Sequence, residues 1–217
     1  MFLQRFLNKI KMTYLQFREQ WHRVGCFNIY QVRADCPHFD RGNFGHWVKK
    51  GYLVRLLQDW YAFADLLQVA EFSRYIAQRI YAPSYISLHS ALAYYGIIPE
   101  AVTRITCVST NRTAHYENAF GEFSYQTVKP DLFFSYEPRA LPQGYTYHLA
   151  LPEKALLDLL YLYPQYDTEN EMLELRLDDY WMHEELNVNR LRVFSERANS
   201  KALQIRIEIM LETYRHD

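Results

Sequence analysis

The chain has little cysteine. Cys26, Cys36 and Cys107 are an odd set without CxxC spacing, which argues against a disulfide framework and a zinc site and points to the reducing cytoplasm. No uninterrupted apolar run approaches the ~20 residues that span a bilayer. The opening MFLQRFLNKIKM is basic and apolar but lacks an extended apolar region and a cleavage site, so it reads as a short amphipathic helix rather than a signal peptide. There is no GxxxxGKS loop and no GxGxxG turn to cradle phosphates. The eight histidines are scattered, with no HExxH or comparable ligand spacing. Internal repeats and low-complexity linkers are lacking too. What is left is a globular chain of 217 residues, 49% hydrophobic, long enough for one large domain or two small ones.

The net charge of −1 conceals an asymmetry. Through Gln58 there are 10 basic and 3 acidic residues, net +7; from Asp59 on there are 14 and 22, net −8. A basic front joined to an acidic remainder suggests that the front meets a polyanion, nucleic acid first of all. The plainer alternative is that the two parts pair with each other.

Residues 13 to 24 predict a first helix. Thr13 is its cap, and Tyr14, Phe17, Trp21 and Val24 share one apolar face before Gly25 ends it. Phe27 to Ala34 predicts a second helix. Asp40 caps a third, RGNFGHWVKK, which Gly51 ends. On that helix Phe44, Trp47 and Val48 face inward, while Arg41, Asn43, His46, Lys49 and Lys50 face outward. Tyr52 to Leu57 and Trp60 to Phe63 then read as a hairpin turning near Gln58-Asp59. Three short helices and a hairpin follow the order of a winged helix-turn-helix. In such a module the third helix enters the major groove of duplex DNA. Arg41 and Asn43, at its start, would reach base edges. Lys49 and Lys50 suit phosphates, and Arg55 in the wing would touch a phosphate or the minor groove. A winged helix that binds a partner protein instead is the alternative.

Residues 70 to 81 predict a connecting helix, stopped by Pro83. Ser87 would cap the next helix, Gly96 would end it, and Pro99 would open a further helical turn. Strands are expected at Arg104–Ser109, Ala114–Asn118, Gly121–Val128 and Tyr145–Leu151. Pro152 opens the clearest helix, PEKALLDLLYLY, closed by Pro164. From Asp167 to Glu185 there are eight acidic residues against one basic, which reads as a solvated face or as a surface for a basic partner. Asn187–Phe194 and Ala202–Tyr214 look helical, the latter packing through Leu203, Ile207, Met210 and Leu211. The expected class is α+β: an N-terminal winged helix-turn-helix over residues 1–66, then a mixed α/β domain with a helical C-terminal part over residues 67–217.

PSYISLHSALAYYGIIPEAV, ITCVSTNRTAHYE, GEFSYQTVK and LPEKALLDLLYL, in that order, resemble the AbiEi-type antitoxin family of bacterial type IV toxin–antitoxin systems, over roughly residues 28 to 163. The resemblance implies a transcriptional regulator with an N-terminal winged helix and an α/β domain behind it. It also implies repression of its own operon at duplex operator DNA, and neutralisation of a nucleotidyltransferase toxin, in most cases without a stable complex.

Enzyme motifs fit poorly. Glu153 and Lys154 are adjacent and open a helix, whereas a metal nuclease needs Asp and Glu-x-Lys on neighbouring strands. No Gly-Ser loop precedes Asp178-Asp179, and Ser87 is better explained as a cap than as a nucleophile. Neither an enzymatic activity, nor a cofactor, nor a membrane partner is expected.

Overall fold

The computed structural model describes residues 12–214; the amphipathic helix expected for the opening segment lies outside them. Thr13 caps α1 (Tyr14–Trp21) in a reciprocal box with Gln16, its Oγ1 accepting from the Gln16 N–H at 3.3 Å. A 3₁₀ turn, His22–Val24, carries the chain to Gly25. The strand β1 (Cys26–Asn28) follows, then α2 (Ile29–Asp35), α3 (Gly42–Lys49), β2 (Leu53–Leu57) and β3 (Trp60–Phe63). The expected second helix thus surrenders its first residues to a strand. β1 is three residues long, too short to show an alternation, and it owes its existence to pairing with β3, Phe27 opposite Tyr61. The three strands form an antiparallel sheet in the order β1-β3-β2.

Aromatic rings fill the space between this sheet and the three helices. Phe17 is fully buried, and its ring centroid lies within 6.0 Å of those of Trp21, Phe27, Phe39, Phe44, Trp47 and Phe63. Such large rings bury much apolar area in few residues, which suits a small unit.

A 3₁₀ segment, Ala64–Gln68, leads to α4 (Phe72–Ile80). Then come β4 (Ser84–Ile86), α5 (Leu88–Tyr94), β5 (Arg104–Ser109), β6 (Ala114–Asn118), β7 (Gly121–Thr127), β8 (Tyr136–Ala140) and β9 (Thr146–Ala150). The helices α6 (Pro152–Leu162), α7 (Glu169–Leu173), α8 (Val188–Glu196) and α9 (Lys201–Tyr214) complete the chain. The six strands form one mixed sheet, β6-β7-β5-β4-β9-β8, with β4–β9 and β5–β7 parallel and the other pairs antiparallel. The fold is therefore α+β, with a small all-antiparallel sheet and a larger mixed one.

Several expectations need correction. β8 is not foreseen because Pro138 breaks its pattern; it lies at the sheet edge, where a missing N–H is tolerated. No helical turn starts at Pro99. Ile97 and Ile98 are buried just before it, and the Ile97 carbonyl accepts from the Asp178 N–H, so the chain runs irregularly to β5. Ser87 occupies the cap position of α5 but makes no capping bond. Thr106 of β5 takes that role, accepting from the Ser90 N–H at 3.0 Å.

The two sheets meet at Gly25. Its φ of +71° favours glycine, and an added Cβ would come 2.8 Å from both Phe72 Cζ and Tyr145 Cε1. Alongside, Tyr145 Oη donates to the His22 carbonyl at 2.9 Å and Tyr75 Oη to the Val24 carbonyl at 2.8 Å. β2 also runs beside β6, so the edges of both sheets are neighbours.

Candidate nucleic-acid interface

The start of α3 is set by Asp40, whose carboxylate accepts from the Gly42 N–H at 2.9 Å, while Arg41 occupies the cap position without a side-chain cap bond. Phe44 and Trp47 pin the helix to the aromatic core. Arg41, Gly42, Gly45, His46, Lys49 and Lys50 form its exposed face.

Asn43 does not belong to that face. It is only 7% exposed, one helical turn before Trp47 and on the same inward side. With Met12, Thr13, Tyr14, Asp40, His46 and Trp47 it borders a surface cavity of about 470 Å³. Its Nδ2 has no hydrogen-bond partner among the described residues. The spacing that assigned Trp47 inward assigns Asn43 inward too, and polarity alone had suggested otherwise.

The other five sequence-derived positions are exposed, and their surroundings differ. Arg41 reaches 2.8 Å to Asp59 Oδ1 in the β2–β3 turn, tying the start of α3 to the tip of the hairpin. Asp59 has a φ of +61°, and its carbonyl accepts from the Ile29 N–H at 2.9 Å, so it is held from both its backbone and its side chain. Lys50 Nζ lies 6.0 Å from the Tyr52 ring centroid. Arg55 follows the pleat of β2 outward and donates through Nε to the Leu57 carbonyl at 3.2 Å, across a bulge that places Arg55 opposite Tyr61 and Leu57 opposite Trp60. His46 and Lys49 stand on the open face of α3.

Gly45 lies exposed in the middle of this helix. An added Cβ there would meet nothing within 4 Å. Packing does not call for it, and a glycine inside a helix costs about 1 kcal/mol relative to alanine. Its effect is to leave the backbone bare in the middle of the exposed face, between Arg41 and Lys49.

A second polar constellation lies in the larger sheet, closed to solvent. Tyr85 and Ser87 both donate to Asp158 Oδ2, at 2.9 and 2.8 Å. Lys154 Nζ donates to Tyr85 Oη at 2.9 Å and to Asp158 Oδ1. All four residues are buried. Burial pushes the Lys154 ammonium down from its ordinary value, with Asp158 opposing, and pushes the Tyr85 phenol up. The network joins β4, the start of α5 and α6, and every charged group in it has its partner inside. That makes it a structural pin, without access for a substrate.

The acidic stretch 167–185 divides into α7 and a π-helical turn, Trp181–Glu185. Met172, Leu175, Leu177, Trp181 and Met182 are buried beneath largely exposed carboxylates. Among the described residues no group of three or more His, Cys, Asp or Glu side chains is placed to hold a metal ion, and no helix is long and apolar enough to cross a membrane. No protein-family model and no curated protein matches the sequence.

Proposed function

We propose that α1–α3 and the β1–β3 sheet form a winged helix whose α3 enters the major groove of duplex DNA, and that the protein is a transcriptional regulator of the AbiEi antitoxin kind. The observation that carries this reading is the exposed face of α3. It presents Arg41, His46, Lys49 and Lys50 around a glycine with no packing role, all of them exposed. A bare backbone flanked by cations suits close approach to a groove walled by phosphates. Arg55 in the hairpin would add a phosphate contact to one side.

On this reading the N-terminal unit, residues 1–66, represses the protein's own operon. The α/β unit, residues 67–217, counteracts a nucleotidyltransferase toxin, as the motif resemblance implies. Work on the chromosome sets the protein in the cytoplasm. The three free thiols agree with that, Cys26 and Cys107 being buried with their ionisation pushed up.

The test is binding of the full chain to its own upstream DNA against a scrambled duplex of equal length, at several salt concentrations. The expected result is preference for the native duplex, a steep loss with salt, and collapse of that preference when Arg41, Lys49 and Lys50 are changed to alanine. Weak binding, equal on both duplexes and flat with salt, would sink the repressor reading and favour a protein-binding winged helix.

A further inference from the structure

α9 has one face in the fold and one outside it. Leu203, Ile207, Met210, Leu211 and Tyr214 are buried against α6, α7 and α8. On the opposite side Ala202 and Ile205 are exposed, Ile205 to 60%, and Ile209 is half-buried. They follow at i, i+3 and i+7, a continuous apolar seam on a helix whose core-facing side is already full. Lys201, Gln204, Ile205, Glu208, Ile209 and Glu212 line a shallow groove of about 470 Å³ along this side.

The charges beside the seam run the wrong way for a solitary helix. Lys201 sits in the first turn, at the positive end of the helix dipole, and Glu212 in the last turns, at the negative end. Glu208 and Glu212 repel each other at i, i+4. Glu208 is offset by Arg192 of α8, which holds it through two nitrogens at 3.1 and 2.9 Å. Among the described residues no ion pair involves Lys201 or Glu212.

We infer that this face of α9 binds the same face of a second copy, with the two helices antiparallel across a two-fold axis near Ile205. That arrangement sets Ala202 against Ile209 of the second copy. Lys201 then falls between Glu208 and Glu212 of the second copy, and the mirror contacts repeat on the other side. Every unfavourable charge acquires a partner of opposite sign. A parallel pairing would instead set Lys201 against Lys201 and Glu212 against Glu212. The antiparallel contact is self-complementary, so it closes at two copies and does not propagate. One 14-residue helix gives an interface well under the standard size of about 1,600 Å². The dimer is accordingly weak and concentration-dependent.

The proposal stands apart from DNA binding, and its test contains no DNA. Sedimentation equilibrium of the full chain, from micromolar to several hundred micromolar, should show a monomer–dimer equilibrium. Ile205→Glu should leave monomer only. Lys201→Glu should weaken the dimer by at least about tenfold, since it sets like charges together on both sides of the axis. Adding Glu212→Lys to it should restore association to near the wild-type level. All three side chains are exposed, so the melting temperatures of the variants should stay close to wild type, which separates loss of contact from loss of fold. A chain that remains monomeric throughout, a dimer indifferent to Ile205→Glu, or a double variant as weak as Lys201→Glu alone would each overturn it.

Discussion

Arg41, at the start of α3, is tied by a 2.8 Å ion pair to Asp59 at the hairpin tip, 18 residues later in the chain. The Arg41 side chain is 68% exposed and that of Asp59 only 14%. The arginine is thus held through Nη2 while most of the side chain stays in solvent. If α3 meets DNA as proposed, Asp59 competes with phosphate for the same guanidinium. Asp59→Asn should release Arg41 and remove a negative charge beside the exposed face of α3. Affinity for the operator duplex should then rise about two- to fivefold, while the melting temperature moves by only a few degrees, because a pair whose arginine stays largely in solvent contributes roughly 0–1 kcal/mol. Fluorescence anisotropy with a labelled duplex, beside a thermal melt, reads both quantities. Lower affinity in the variant would mean that Asp59 positions Arg41 for DNA rather than withholding it.

The Lys154–Asp158 pair governs a different property. Both side chains are shielded from water, and Asp158 also receives the Tyr85 and Ser87 hydroxyls. Lys154→Met would leave a buried carboxylate without its cation, at a cost of about 3–5 kcal/mol. For a chain of this size that corresponds to a fall of roughly 10 °C in Tm. Adding Asp158→Leu should recover only part of the loss, because the Tyr85 and Ser87 hydroxyls would then have no acceptor. Differential scanning calorimetry of the wild type and both variants checks the order wild type, double, single.

Acid should loosen the N-terminal unit through Asp65. Burial raises its pKa, but hydrogen bonds from His22 at 2.9 Å and Arg18 at 2.6 Å outweigh this and hold the carboxyl below its ordinary value. A carboxyl depressed in the folded state contributes its stability in full above the unfolded value of about 3.9, and loses it as pH falls through the lower folded value. Asp65→Asn should therefore melt below wild type at pH 6, and the two should converge below about pH 4. Thermal melts from pH 6 to pH 3 would show the convergence; a constant gap would mean that the charge of Asp65 is not what matters.

Gly25 should resist substitution. Its positive φ and the two rings 2.8 Å from an added Cβ penalise alanine separately. Backbone strain of this kind costs on the order of 1–3 kcal/mol before any clash. Gly25→Ala should lower Tm by several degrees or more, and should speed amide exchange at β1 and α4 ahead of the rest. Uniform exchange would mean that the Gly25 junction is not a separate weak point.

Local signals in the sequence carried far where the structure is locally decided. Thr13 caps α1, Gly25 and Gly96 take positive φ, and Arg104–Ser109 and Ala114–Asn118 become strands with those bounds. What escaped was decided at a distance. β1 exists through its pairing with β3, β8 through its place at the sheet edge despite Pro138, and the cap of α5 comes from Thr106 on another strand. In the candidate interface, helical spacing from Trp47 was enough to turn Asn43 inward. Nothing in the sequence linked Arg41 to Asp59, because that contact requires the hairpin to fold back over the start of α3.

Gly45 separates stability from binding more sharply than any charge change. It lies in the middle of α3, exposed, with open space around it. Alanine fits there without a clash and is the better helix former by about 1 kcal/mol, so Gly45→Ala should raise Tm by a few degrees. If α3 lies in a DNA groove, the new methyl group stands between the helix backbone and the wall of that groove. The tighter fit should lower operator affinity by several-fold even as the protein becomes more stable. The salt dependence should be unchanged, since no cation is lost. A bulkier Gly45→Gln should weaken binding further in the same melt and titration series. If both variants are stabilised and bind the duplex as tightly as wild type, the exposed face of α3 is not the surface that meets DNA.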